Sequence, residues 1–220
     1  MGRRSKAIMT DILDTRFEGR EMKINQNNVY LGDDINLIAK EPALKQISVA
    51  VGWDSKAFGG MDVDVDISLF LLDRDDMTRE NQDFVFYNNM EAYNGAVKHE
   101  GDNRTGAGDG DDETMLFDLH GIPFDVTRIV FVYSIYRGKE RDQNLGLVKN
   151  SYIRLKNAET DHEIVRFNLD EHFKDTEETA AIVGSINREG PKWHFTPRIE
   201  KFTGGLAEIA TNFGCTIIRQ

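Results

Sequence analysis

At 220 residues the chain is long enough for one large domain, and 40% hydrophobic residues can build a core without disulfides. Against 27 basic residues stand 38 acidic ones, a net charge of −11 that repels a phosphate backbone and disfavours nucleic acid as a partner. The single cysteine, Cys215, has no partner for an internal bridge, and no apolar run reaches the roughly 18 residues of a membrane span.

Residues 1–21 are mixed in charge, with a short helix read over 7–17, and are expected to form an extension ahead of one domain over 22–220. No apolar stretch follows Arg3, Arg4 and Lys6 as in a signal peptide, so a cytoplasmic location is expected. Residues 35–39 and 47–53 read as short strands parted by Glu41-Pro42. In residues 61–72, Asp62, Asp64 and Asp66 alternate with Val63, Val65 and Ile67, which puts three carboxylates on one face of a strand. Aspartate is depleted in strands, so this row calls for a reason.

Residues 84–87 read as a strand ending in Asn88-Asn89, and a polar loop follows over 99–113. Strands resume at 114–119 and at 129–136, the most apolar run, expected at the centre of its sheet. Residues 151–157 and 163–168 read as a hairpin, and 180–186 pairs with 193–197 around Glu189-Gly190-Pro191. Gly204-Gly205 and Gly214 bracket a helix over 206–213. Many short strands with turn signals between them predict an all-β fold, a two-sheet antiparallel sandwich with short helices.

The loop ending in Gly-Asp-Gly-Asp-Asp-Glu at 108–113 concentrates acids among glycines. Calcium takes six to eight hard oxygen ligands, and a glycine-rich turn can aim backbone carbonyls inward while carboxylates close the shell. Without a cation, like charges about 4 Å apart repel by about 4 kcal/mol at an effective dielectric of 20. An EF-hand is excluded, because Arg104, Gly106 and Ala107 fall where that loop needs oxygen ligands and its turn glycine. A solvated acidic loop is the bland alternative. Asp54, after Gly52-Trp53, belongs either at the same rim or in a turn cap.

Gly52-Trp53-Asp54, Val63-Asp64-Val65-Asp66-Ile67-Ser68, Asp83-Phe84-Val85-Phe86-Tyr87-Asn88-Asn89 and the block from Gly101 to Glu113 resemble, in this order, the signatures of the TerD family. The resemblance spans roughly residues 30–215. It implies a β-sandwich with two neighbouring calcium ions at one rim, and a role in tellurite resistance and stress response. It carries the family's acidic positions onto Asp64, Asp66, Asn88, Asn89, Asp102, Asp109, Asp111, Asp112 and Glu113 as ligands. The expected partners are other stress-response proteins of the same family or an anionic membrane surface.

The alternative is a magnesium-dependent phosphoryl hydrolase using the same carboxylates. It lacks a phosphate-cradling or nucleophile motif, and His99 and His120 are better read as core or surface residues. No enzyme is expected. Direct tellurite reduction would want thiols, and Cys215 stands alone.

Overall fold

Alternating apolar residues pair into two antiparallel sheets in the computed structural model, which describes residues 26–55, 63–101 and 110–215. In chain order the strands are β1 (Ile35–Asn36), β2 (Gln46–Ser55), β3 (Val65–Leu72), β4 (Phe84–Val85), β5 (Glu91–Ala92) and β6 (Val97–His99). They continue with β7 (Glu113–Asp118), β8 (Arg128–Ile135), β9 (Val148–Asn157), β10 (Glu163–Asn168), β11 (Ala180–Glu189) and β12 (Lys192–Phe202). Sheet A has the order β10-β9-β2-β7-β6-β5, and sheet B the order β1-β12-β11-β8-β3-β4. This is the predicted sandwich.

The core lies between the sheets. Val49 and Val51, Met115 and Phe117, and Ile153 and Leu155 project from sheet A onto Ile67 and Leu69, Phe131 and Tyr133, and Ala181 and Val183 of sheet B. The rings of Phe117 and Phe131 meet edge to face across the gap, 5.8 Å between centroids. Central β8 is apolar on both faces for a reason visible in the packing. Its outward Val130 and Val132 join Phe70 and Leu72 beneath a C-terminal helix, α3 (Gly205–Asn212), which buries Ile209 and Ala210 there. Earlier in the chain, α1 (Leu37–Lys40) and α2 (Asp170–Phe173) are single turns.

Two predicted strands are shorter than expected. The 35–39 run leaves β1 after Asn36, whose side chain accepts from the Ala39 N–H at 3.0 Å and starts α1. The 84–87 run stops at Val85, because Phe86 and Asn89 exchange backbone hydrogen bonds in a tight turn. The Asn89 amide donates to the Phe84 carbonyl at 2.6 Å and closes that turn. The helix read over 7–17 and the boundary at residue 22 lie outside the described residues. From Asn27 the chain runs along the edge of β10, exchanging backbone bonds with Arg166. Among the described residues no helix is long and apolar enough to cross a membrane.

Candidate metal centre

Antiparallel pairing brings the end of β2 and the starts of β3 and β7 to one rim of the sandwich. Val51 sits opposite Glu113, and Val65 opposite Ile135 at the end of β8. Gly52, Trp53 and Asp54 each serve this rim. A Cβ at Gly52 would lie 2.4 Å from the Tyr152 hydroxyl, so glycine leaves the space in which Tyr152 crosses β2. That hydroxyl is 2.8 Å from the Gly110 carbonyl and 3.0 Å from Asp111 Oδ1, and donates toward them. The Trp53 N–H donates to Asp112 Oδ2 at 2.8 Å, while the Asp112 N–H donates back to the Val51 carbonyl. The Trp53 ring meets Tyr133 edge to face at 6.4 Å. Asp54 accepts from the Asn150 side-chain amide.

Glu113 ties the two sheets together. β4 pairs only with Leu69 and Phe70 of β3, so the Ile67 N–H lies beyond the end of β4. The buried Glu113 carboxylate accepts that N–H at 2.7 Å, satisfying an edge amide that the sheet leaves over. Its Oε2 also lies 3.7 Å from His99 Nε2. Because Gly101 N–H donates to His99 Nδ1 at 3.2 Å, the ring proton of a neutral His99 is assigned to Nε2, facing the carboxylate.

The other predicted residues divide by face. Asp66 pairs with Ser134 and is buried on the outer face of sheet B, bordering the same groove as Asn88 and Asn89. Asp64, one turn of the pleat away, has its Oδ2 3.6 Å from Arg141. Asp111 turns to the outer face of sheet A, where Arg154 grips both carboxylate oxygens at 2.7 and 2.8 Å and Lys156 stands at 3.3 Å. Asp102 and Asp109, with Asp62, lie outside the described residues. Among the described residues no three carboxylate, imidazole or thiol groups are already gathered as a metal cage.

The two neighbouring aspartates titrate in opposite directions. Burial opposes the ionisation of Asp111, but Arg154 and the Tyr152 hydroxyl outweigh it and hold the carboxyl below its ordinary 3.8. Asp112 is pushed up by burial, against the Trp53 N–H, with the charges of Asp111 and Asp54 adding to the rise. Tyr133, wholly buried beneath the rim, is raised well above 10 by burial and then by Asp112, Glu113 and Asp170.

Several supporting residues escaped the sequence reading. Asp170 accepts from the Asn150 N–H, the Ser151 N–H and the Ser151 hydroxyl at 2.7–2.9 Å, pinning the start of β9. Buried Asp83 binds Arg79 at 2.8 Å and the Tyr93 hydroxyl, and fixes the 79–93 segment. The period-two row Tyr152, Arg154, Lys156 was the available signal for a shared face; nothing local says that Asp111 lies opposite. His99 is a core residue, whereas exposed His120 lies beyond the far end of β7.

An antiparallel β-sandwich with carboxylate-bearing strand ends at one rim defines the class of the chain. The TerD domain family model matches residues 26–213, and the chain belongs to that family. General stress protein 16U of Bacillus subtilis (strain 168) is 41% identical over 187 residues, covering 84% of this chain and 96% of that protein. Tellurium resistance protein TerD of Serratia marcescens is 38% identical over 183 residues, covering 83% and 94%. In fold, the chain is similar to the crystal structure of a homologue of telluride resistance protein from Streptomyces coelicolor A3(2). The TM-score is 0.61 at 19% identity, covering 76% of this chain and 96% of that one.

Proposed function

We propose that this chain is a calcium-binding, non-enzymatic domain acting in stress response and tellurite resistance, and that its acidic rim holds the ion. The names of the Bacillus and Serratia relatives support the biological half of the reading. The chemical half is carried by one observation: Trp53 N–H on Asp112 and Ile67 N–H on Glu113 draw three strand ends into one rim, with Asp66 next along the chain to Ile67. The donors are carboxylates and amide oxygens, the hard ligands that calcium prefers and that magnesium, bound to its octahedral water shell, uses less readily. The candidate ligands are Asp64, Asp66, Asn88, Asn89, Asp102, Asp109, Asp111, Asp112 and Glu113, and the ion would draw together carboxylates that stand apart among the described residues. Calcium supplies positive charge at a rim that has an excess of carboxylates, and its open coordination positions accept oxygens from an anionic protein or membrane partner.

Asp111 has the closest competing partners, since Arg154 and Lys156 already neutralise it, while Asp64 has a longer ion pair with Arg141. Asp112→Asn is therefore expected to lower calcium affinity more than Asp111→Asn does. A hydrolase has less support: His99 is buried against Glu113, and His120 stands at the opposite end of β7. Thermal unfolding tests the proposal. A site that binds only the folded chain adds about 2.7 kcal/mol at a hundredfold excess over Kd, so Tm should rise in calcium, less in magnesium, and not in chelator. Identical melting in calcium and chelator sinks it.

A further inference from the structure

We propose that an apolar groove at the end of the sandwich opposite the acidic rim is the seat of the chain's own N-terminal segment, residues 7–17. The groove measures about 580 Å³ and is lined by Ile38, Leu44, Leu119 and Trp193, with the 121–124 loop along one side. That volume lies within the roughly 300–1,000 Å³ of binding sites and takes a few side chains, not a whole helix.

Arg188, near the end of β11, fixes the wall. Its guanidinium donates to the Pro123 and Ile122 carbonyls at 2.7 and 3.1 Å. It also lies 4.3 Å from the Trp193 ring and 5.7 Å from the Phe124 ring. The loop is thereby held against β12, while Phe124 itself is left 86% exposed. A lone exposed ring is ordinary, but one braced beside an apolar groove forms with it a surface for a partner.

The occupant is chosen by where the described chain begins. The Asn27 side-chain amide donates to the Glu163 carbonyl at 2.7 Å, and Lys40 Nζ donates to the next carbonyl, Ile164, at 3.0 Å. His162 Nδ1 lies 3.2 Å from Glu41. Residues 162–164 therefore touch both the start of the described chain and the 38–44 stretch that walls the groove. Residues 18–25 reach about 30 Å when extended, three times the roughly 10 Å between packed sheets. The spacing within 7–17 suits the site. Met9, Leu13 and Phe17 make one i, i+4 row and Ile8 and Ile12 the row beside it, with Asp11 and Asp14 opposite. Such rows are the anchors of a helix that lays its apolar face into a groove. Charge agrees. Residues 1–25 hold six of the 27 basic residues and only four of the 38 acidic ones, so a basic segment meets an acidic body. The family model starts at residue 26, which leaves this segment ahead of the shared domain. The docking does not rest on calcium binding at the rim.

The test is paramagnetic broadening in the full chain. With Cys215→Ser removing the native thiol, Thr10→Cys carries a nitroxide on the polar side of the segment. Amides of 119–124 and 188–193 should broaden, equally so after tenfold dilution, while those of 52–54 at the rim stay sharp. Leu13→Asp with Phe17→Asp in the segment should abolish the broadening. Phe124→Ser on the groove should do the same with Tm unchanged, because that ring is exposed. The proposal is overturned if the groove amides stay sharp or if their broadening survives both sets of substitutions. It is also overturned if the broadening passes to isotope-labelled chains mixed with spin-labelled ones, which makes a second copy the occupant. Sharp groove amides, with the segment's own signals lost on phosphatidylglycerol vesicles, would give the segment to a membrane surface and overturn it equally.

Discussion

Replacing Gly52 by alanine sets a methyl group on the Tyr152 hydroxyl, and the ring must leave the position from which it holds Gly110 and Asp111. The expected loss is about 1–3 kcal/mol, as for other overpacked sites, read by urea unfolding. Glu113 offers a graded comparison. Glu113→Ala strips the acceptor from the buried Ile67 N–H and should cost about 1–3 kcal/mol, whereas Glu113→Gln keeps a carbonyl oxygen there and should recover part of it. A titrating residue away from the rim gives a pH signature. Burial, and then the charge of Lys201, hold His172 below its ordinary 6.5, so the folded chain resists its protonation. The stability this confers is complete above pH 6.5 and is lost as pH falls through the folded pKa. His172→Gln should flatten the fall of Tm with acidification, measured by calorimetry across that range.

At the scale of elements, α3 is the piece whose removal should matter most to sheet B. Ile209 is fully buried against Phe70, Val130 and Ile182, and Ile209→Ala is expected to cost about 2–5 kcal/mol in denaturant unfolding. The helix was legible because glycines bracket it, and β8 because Ile-Val-Phe-Val-Tyr is apolar at every position. The alternation of Asp64 and Asp66 with Val65 and Ile67 read correctly as two faces: the aliphatics are in the core and Asp66 is outside. β1 was overread because Ile35, Leu37 and Ala39 alternate like a strand, while the deciding event is one hydrogen bond from Asn36 to Ala39. β5 and β6, at two and three residues, carry too little pattern to be seen. Within the acidic run, spacing showed clustering but not direction. The pull of Arg154, more than forty positions along the chain, aims Asp111 away from Asp112, and no local rule encodes that.

Across the whole molecule, a net charge of −11 disfavours compaction, and the rim concentrates part of that repulsion on one edge. Trp53 and Ile67 hold Asp112 and Glu113 in place through backbone N–H groups, so the acids stay gathered instead of spreading into solvent. On the proposed reading a divalent cation would relieve that arrangement, whereas Arg154 and Lys156 already relieve it at Asp111. Calorimetric titration of calcium into the metal-stripped chain tests this most directly. Saturable binding should appear, weakened strongly by Asp112→Asn and only modestly by Asp111→Asn. Absence of binding heat with the parent chain, or equal affinity in the Asp112→Asn variant, would contradict it.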